Sequence, residues 1–94
     1  METKKVMELI QGEREKQIAR HGYSKKHDKI WVDGELAQAA AVYAMPAPKR
    51  RVADWPFGMT FYRPELSRVD ELIKAAALIV AEIERVTTYE EEGE

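Results

Sequence analysis

Four residues in the first quarter of the chain have the types and spacing of a binding site: Glu13, Arg14, Gln17 and Arg20. Projected on a helix at about 100° per residue, Glu13, Gln17 and Arg20 fall within roughly 60° of Val6, in line with Leu9 and Ile10. A stripe that starts apolar and continues as a carboxylate, an amide and a guanidinium must find partners or line a wet cavity, because an unpaired buried polar group costs about 1–3 kcal/mol. The chemistry on offer is recognition of a polar ligand. Arg14 beside the stripe presents a planar fork suited to phosphate or carboxylate, and Gln17 offers both donors and an acceptor. The same residues could instead form a structural ion-pair and amide network or a subunit contact.

A second group is aromatic. Trp55, Phe57, Phe61 and Tyr62 lie close together, and such rings stack on any nucleobase because every base has a π-face; their other use is to plug the end of a helical bundle. Trp55, followed by Pro56, is the one expected to line a site, with the basic run Lys49, Arg50, Arg51 close by. His21, His27 and Asp28 match neither a helical i, i+4 pair nor a zinc-site spacing, so no metal site is expected from them. Glu71 with Lys74 and Glu82 with Arg85 have i, i+3 spacing and read as surface pairs. Nucleophilic catalysis has no support, with no cysteine and no glycine-flanked serine elbow. The ExxE and ExxD carboxylate pairs with which all-α MazG-type pyrophosphohydrolases hold magnesium are absent from the expected helices. No catalytic residue, cofactor or metal ligand is therefore assigned.

The elements that must position these residues are helical. The first helix should run from about residue 3 to about 21, with Thr3 as cap and Gly22 as stop. Gly12 in its middle is either a weak point or a place of close packing. Residues 23–32 read as a loop carrying His27, Asp28 and Trp31. Asp33 should cap a second, alanine-rich helix to about Met45, which Pro46 stops. The proline-broken stretch from Pro46 to Pro64 is long for a structureless loop, and its four aromatics imply that it is ordered. Ser67 and Asp70 then open a third helix, expected to about Val86, whose apolar residues spread over roughly 160° of arc, more than one intrachain neighbour covers. Residues 88–94 read as a frayed acidic tail. The expected fold is all-α, one domain over 1–94, with three main helices, a long ordered loop and assembly into a homo-oligomer through the third helix.

Composition narrows the partners. The 94 residues carry a formal charge of −2 and no cysteine, which gives no basic field for duplex nucleic acid and no disulfide or thiolate-metal scaffold. The longest apolar run, Ala75 to Ala81, is far short of the roughly 20 residues of a membrane span. No signal-like segment follows Met1, so a cytoplasmic location is expected.

The segments EREKQIARHGYSKKHD (13–28), GELAQAAAVYA (34–44), WPF (55–57) and KAAALIVAEIERV (74–86) resemble a widespread family of small phage and prophage proteins with the pattern ERxxQ, HD, GELAxAAxxYA, WPF and KAxALIxAEIER. The resemblance implies a phage accessory protein in the host cytoplasm. By analogy of class, such small all-α oligomers include sponges that withhold the cyclic nucleotide signals of bacterial immunity, such as cyclic dinucleotides and cyclic ADP-ribose isomers. On that expectation Arg14 and Lys74 contact phosphate. Gln17 and Asp28 hydrogen-bond a base or ribose, Tyr23, Trp55 or Phe57 stacks, and Glu13 and His21 also line the ligand site. The alternatives are a MazG-like metal-dependent nucleoside triphosphate pyrophosphohydrolase with carboxylates drawn from several subunits, and a protein that binds a host factor.

Overall fold

The computed structural model describes residues 1–21, 33–64 and 67–92. Its order is helix α1 (Thr3–His21), helix α2 (Glu35–Ala44), three single 3₁₀ turns (Ala47–Lys49, Val52–Asp54, Met59–Phe61) and helix α3 (Arg68–Glu92), with no strand among the described residues. The all-α expectation with three main helices holds. None of the described helices is long and apolar enough to cross a membrane.

Two helix ends differ from expectation. Asp33 does not cap α2: Gly34 occupies the cap position at φ 84° with no side-chain cap bond, and the Asp33 N–H donates to the Glu35 carboxylate at 2.7 Å. A left-handed φ suits glycine, which has no Cβ to clash. At the other end the acidic segment is helical through Glu92 rather than frayed from residue 88. Nothing between Val86 and Gly93 breaks a helix, and the Thr87 hydroxyl donates to the Ile83 carbonyl at 2.8 Å, closing onto the preceding turn. The start of α3 is as expected, with the Asp70 N–H donating to Ser67 Oγ at 3.3 Å.

Helix α3 is the hub against which both α1 and α2 pack. Its contact with α2 forms the core, built from Leu36, Ala39, Ala40, Val42 and Tyr43 on one side and Ala75, Leu78 and Ala81 on the other. The alanines keep the two backbones close, and Trp55 from the loop closes one end. Tyr43 and Trp55 meet edge to face at 5.2 Å, and Tyr62 lies 5.6 Å from Tyr43 and 5.4 Å from Trp55. Trp55, Phe57 and Tyr62 are thus bundle plugs first, whereas Phe61 is exposed. Gly12 has no neighbour within 4 Å of where a Cβ would stand, so it is a weak point and not a packing site.

The inner and outer faces of α3 are reversed with respect to its sequence. Glu71 is buried, and the side chains of Lys74, Glu82 and Arg85 are only 14, 17 and 12 % exposed, while Leu72, Ile79 and Ile83 are 44, 43 and 56 % exposed. Glu71 and Lys74, expected as a surface pair, are both withdrawn from the surface. Glu71 receives Arg50 at 2.8 Å and Arg68 at 3.6 Å, and Lys74 turns to Glu13. Glu82 and Arg85 do pair, at 2.5 Å, but half withdrawn from solvent.

Arg50 is the anchor of the loop. It lies in the basic run, yet its side chain is only 3 % exposed. Besides Glu71, it donates to the Tyr62 hydroxyl at 2.9 Å and to the carbonyl of Met45 at 2.9 Å. Arg68 donates to the Tyr43 carbonyl at 2.9 Å and to that of Ala44. These are the last carbonyls of α2, the acceptors a helix C-terminus leaves over and the pole at which cations are favoured. The hydrogen bond to Glu71 pushes the Arg50 guanidinium further above its already high ordinary range, against the opposing effect of burial.

Candidate functional site

The inward stripe of α1 meets α3 and the loop at one small recess. It is lined by Glu13 and Gln17 of α1, Tyr43 of α2, Lys74 and Leu78 of α3, and Trp55, Phe61 and Arg63 of the loop, and it holds about 20 Å³ of space. That is room for a water-sized group, such as an exocyclic amine or a hydroxyl, and not for a whole nucleotide. Phe61 and Arg63, both exposed, stand where the remainder of a larger ligand would lie.

Gln17 sets the polarity of the recess. It is 5 % exposed, its Nε2 donates to the Lys74 carbonyl at 3.5 Å, and its Oε1 is buried without a hydrogen-bond partner. The orientation follows from that carbonyl, which can only accept and so turns the NH₂ towards itself. What remains is an acceptor waiting for a donor. Beside it the Lys74 ammonium sits 3.9 Å from a Glu13 carboxylate oxygen and 5.9 Å from the centre of the Tyr43 ring.

Local sequence explains each placement. Glu13 and Gln17 are one helical turn apart on the line of Val6 and Ile10, so the face that packs on α3 carries them inward. Tyr43 lies in the last turn of α2, and its hydroxyl accepts the backbone N–H of Arg63 at 2.7 Å, which pins the far arm of the loop over the recess. Trp55 donates its indole N–H to the Gly58 carbonyl at 3.2 Å, so the apolar body of the ring is what it offers to the cavity.

Among the expected site residues, Glu13, Gln17, Trp55 and Lys74 come together here. Phe57 packs edge to face on Trp55 at 5.5 Å and stands behind it. Arg14 is turned elsewhere: it is 5 % exposed, pairs with Glu84 at 3.1 Å and lines a separate groove between α1 and α3. Tyr23 and Asp28 lie outside the described residues, as do the side chains of His21 and Arg20. Sequence reasoning missed Tyr43 and Arg63. For Tyr43 a signal existed, since it is the one aromatic in an alanine-rich helix; Arg63 is placed by the loop's path and left no local trace. Among the described residues no group of three His, Cys, Asp or Glu stands close enough to hold a metal ion.

No family model, curated protein or solved structure matches the chain.

Proposed function

We propose that this chain binds a small phosphate-bearing nucleotide of the cyclic signalling class and withholds it without cleaving it. The observation that carries the proposal is the buried, unpartnered Oε1 of Gln17, a residue that lines a recess together with the cation of Lys74 and the indole of Trp55. A protein tolerates such an orphan acceptor, at about 1–3 kcal/mol, where a ligand's N–H or O–H completes it. A base amine or ribose hydroxyl supplies that donor. Lys74 and the exposed Arg63 suit the phosphates, and Phe61 and Trp55 suit a ring. The choice of cyclic nucleotides rests on the resemblance to small phage proteins and the class analogy drawn from it.

Withholding a signal requires a dissociation constant near nanomolar, about 12 kcal/mol. Calorimetry against cyclic dinucleotides and cyclic ADP-ribose isomers is expected to show such binding for at least one member, with the ligand recovered intact after denaturation. Binding no tighter than micromolar across the panel overturns the proposal. Release of nucleoside monophosphate on incubation of triphosphates with magnesium or manganese would favour the pyrophosphohydrolase alternative.

A further inference from the structure

The outward face of α3 is a seam without a cover in the single chain. Val69, Leu72, Ala76, Ile79, Ile83 and Val86 are spaced 3, 4, 3, 4 and 3 residues apart, the a/d spacing of a helix that packs along another helix. Their five larger members are 37–56 % exposed, while charged residues of the same helix are turned inside. A helix packed on one side only would turn its aliphatic face to the core and its charged face to water. Beside the seam, Met7, Ile10 and Val80 line an open groove of about 500 Å³ between α1 and α3, and Met7 is 56 % exposed.

We propose that a second copy of this chain covers this face, with the two α3 helices antiparallel about a two-fold axis passing between Ala76 and Ile79. The spacing reads the same in both directions. In that register Ala76 of one copy faces Ile79 of the other, Leu72 faces Ile83, and Val69 faces Val86, so the smallest side chain of the seam is opposed by a large one. A parallel pairing would set Ala76 against Ala76 and leave a gap in the middle of the seam, and it would align the helix dipoles. The two-fold arrangement is also closed, which suits a self-complementary patch. The exposed parts of the seam with Met7 amount to roughly 500 Å² per chain, and the polar rim that a contact also buries brings this towards the roughly 800 Å² per partner of a specific pair.

Sedimentation equilibrium of the full chain at about 50 μM is expected to give a dimer, twice 10.8 kDa. Ile79→Asp and Ile83→Lys, at exposed positions, are each expected to give the single-chain mass with the helical circular dichroism retained. The register is read with introduced thiols, which the cysteine-free chain permits. A mixture of Ala76→Cys and Ile79→Cys is expected to form a disulfide between the two variants, with Ala76→Cys alone staying unlinked. A monomeric wild type overturns the proposal, and so does a dimer that survives both seam variants. A disulfide-linked Ala76→Cys dimer overturns the antiparallel register.

Discussion

Replacing Arg50 by Met tests whether the loop is held by a buried charge or by its aromatics. The side chains of Arg50 and Glu71 are 3 and 9 % exposed and 2.8 Å apart. Removing the arginine takes the nearest cation from a buried carboxylate, and Arg68, 40 % exposed, stays 3.6 Å away. It also strips donors from the Met45 carbonyl and the Tyr62 hydroxyl. Breaking a buried pair from one side costs about 3–5 kcal/mol, and Arg68 offsets part of this, so the expected loss is about 3 kcal/mol. For a domain of this length that is a fall in Tm of about 12–24 °C. The assay is thermal unfolding followed at 222 nm, with urea titration for the free energy. The double variant Arg50→Met with Glu71→Met is expected to recover more than half of the loss, because what the single change leaves is a buried carboxylate without its nearest cation and not a hole. A single-variant cost under about 1 kcal/mol, or a double variant no better than the single, would refute the reasoning. The sign of the pH dependence follows from the same geometry. Folding raises the Arg50 pKa, so its contribution is complete below the free guanidinium's pKa and is lost only as pH rises through the folded value. Between pH 5 and 10 the difference between wild type and Arg50→Met should therefore show no slope arising from Arg50 itself.

Three further outcomes are expected. Gln17→Leu removes the orphan acceptor, so it should leave urea stability unchanged or raise it by up to about 1 kcal/mol while weakening ligand binding at least about tenfold; stability and affinity falling together would show that Gln17 is structural. Lys74→Met keeps the aliphatic stem but removes an ammonium 3.9 Å from the largely buried Glu13 carboxylate, so calorimetry should show weaker binding at a stability cost of about 1–2 kcal/mol, the separation being too long for a tight buried pair. Gly12→Ala and Gly34→Ala should move Tm in opposite directions, because neither added Cβ meets a neighbour and only conformation differs. The first gains about 0.5–1 kcal/mol inside a helix, and the second loses a similar amount or more at its positive φ.

Periodicity made the three helices legible, and the proline and aromatic content made the loop's order legible. The polar stripe of α1 was legible too, since one angular projection joined Gln17 to Val6. The burial of Arg50 was not. An arginine in a run of three basic residues has no local mark that separates it from Lys49 and Arg51. Its fate is decided by the loop crossing the C-terminal end of α2 within reach of Glu71, a contact between residues distant in sequence. The rotation of α3 failed to follow the hydrophobic arc for a related reason. Helix α1 brings Glu13 and Arg14 to that helix and the loop brings Arg50, and these need its charged side more than its aliphatic one. The surplus apolar face is then turned outward.

The most direct test of the central claim, that the Gln17 recess holds a ligand, is mass spectrometry of small molecules released by denaturing the purified chain, with the Gln17→Leu variant alongside. The expected result is a phosphate-bearing nucleotide released from the wild type after incubation with the signalling-nucleotide panel and wash-out, and its absence from the variant. Equal release from both proteins, or none from the wild type, would contradict it.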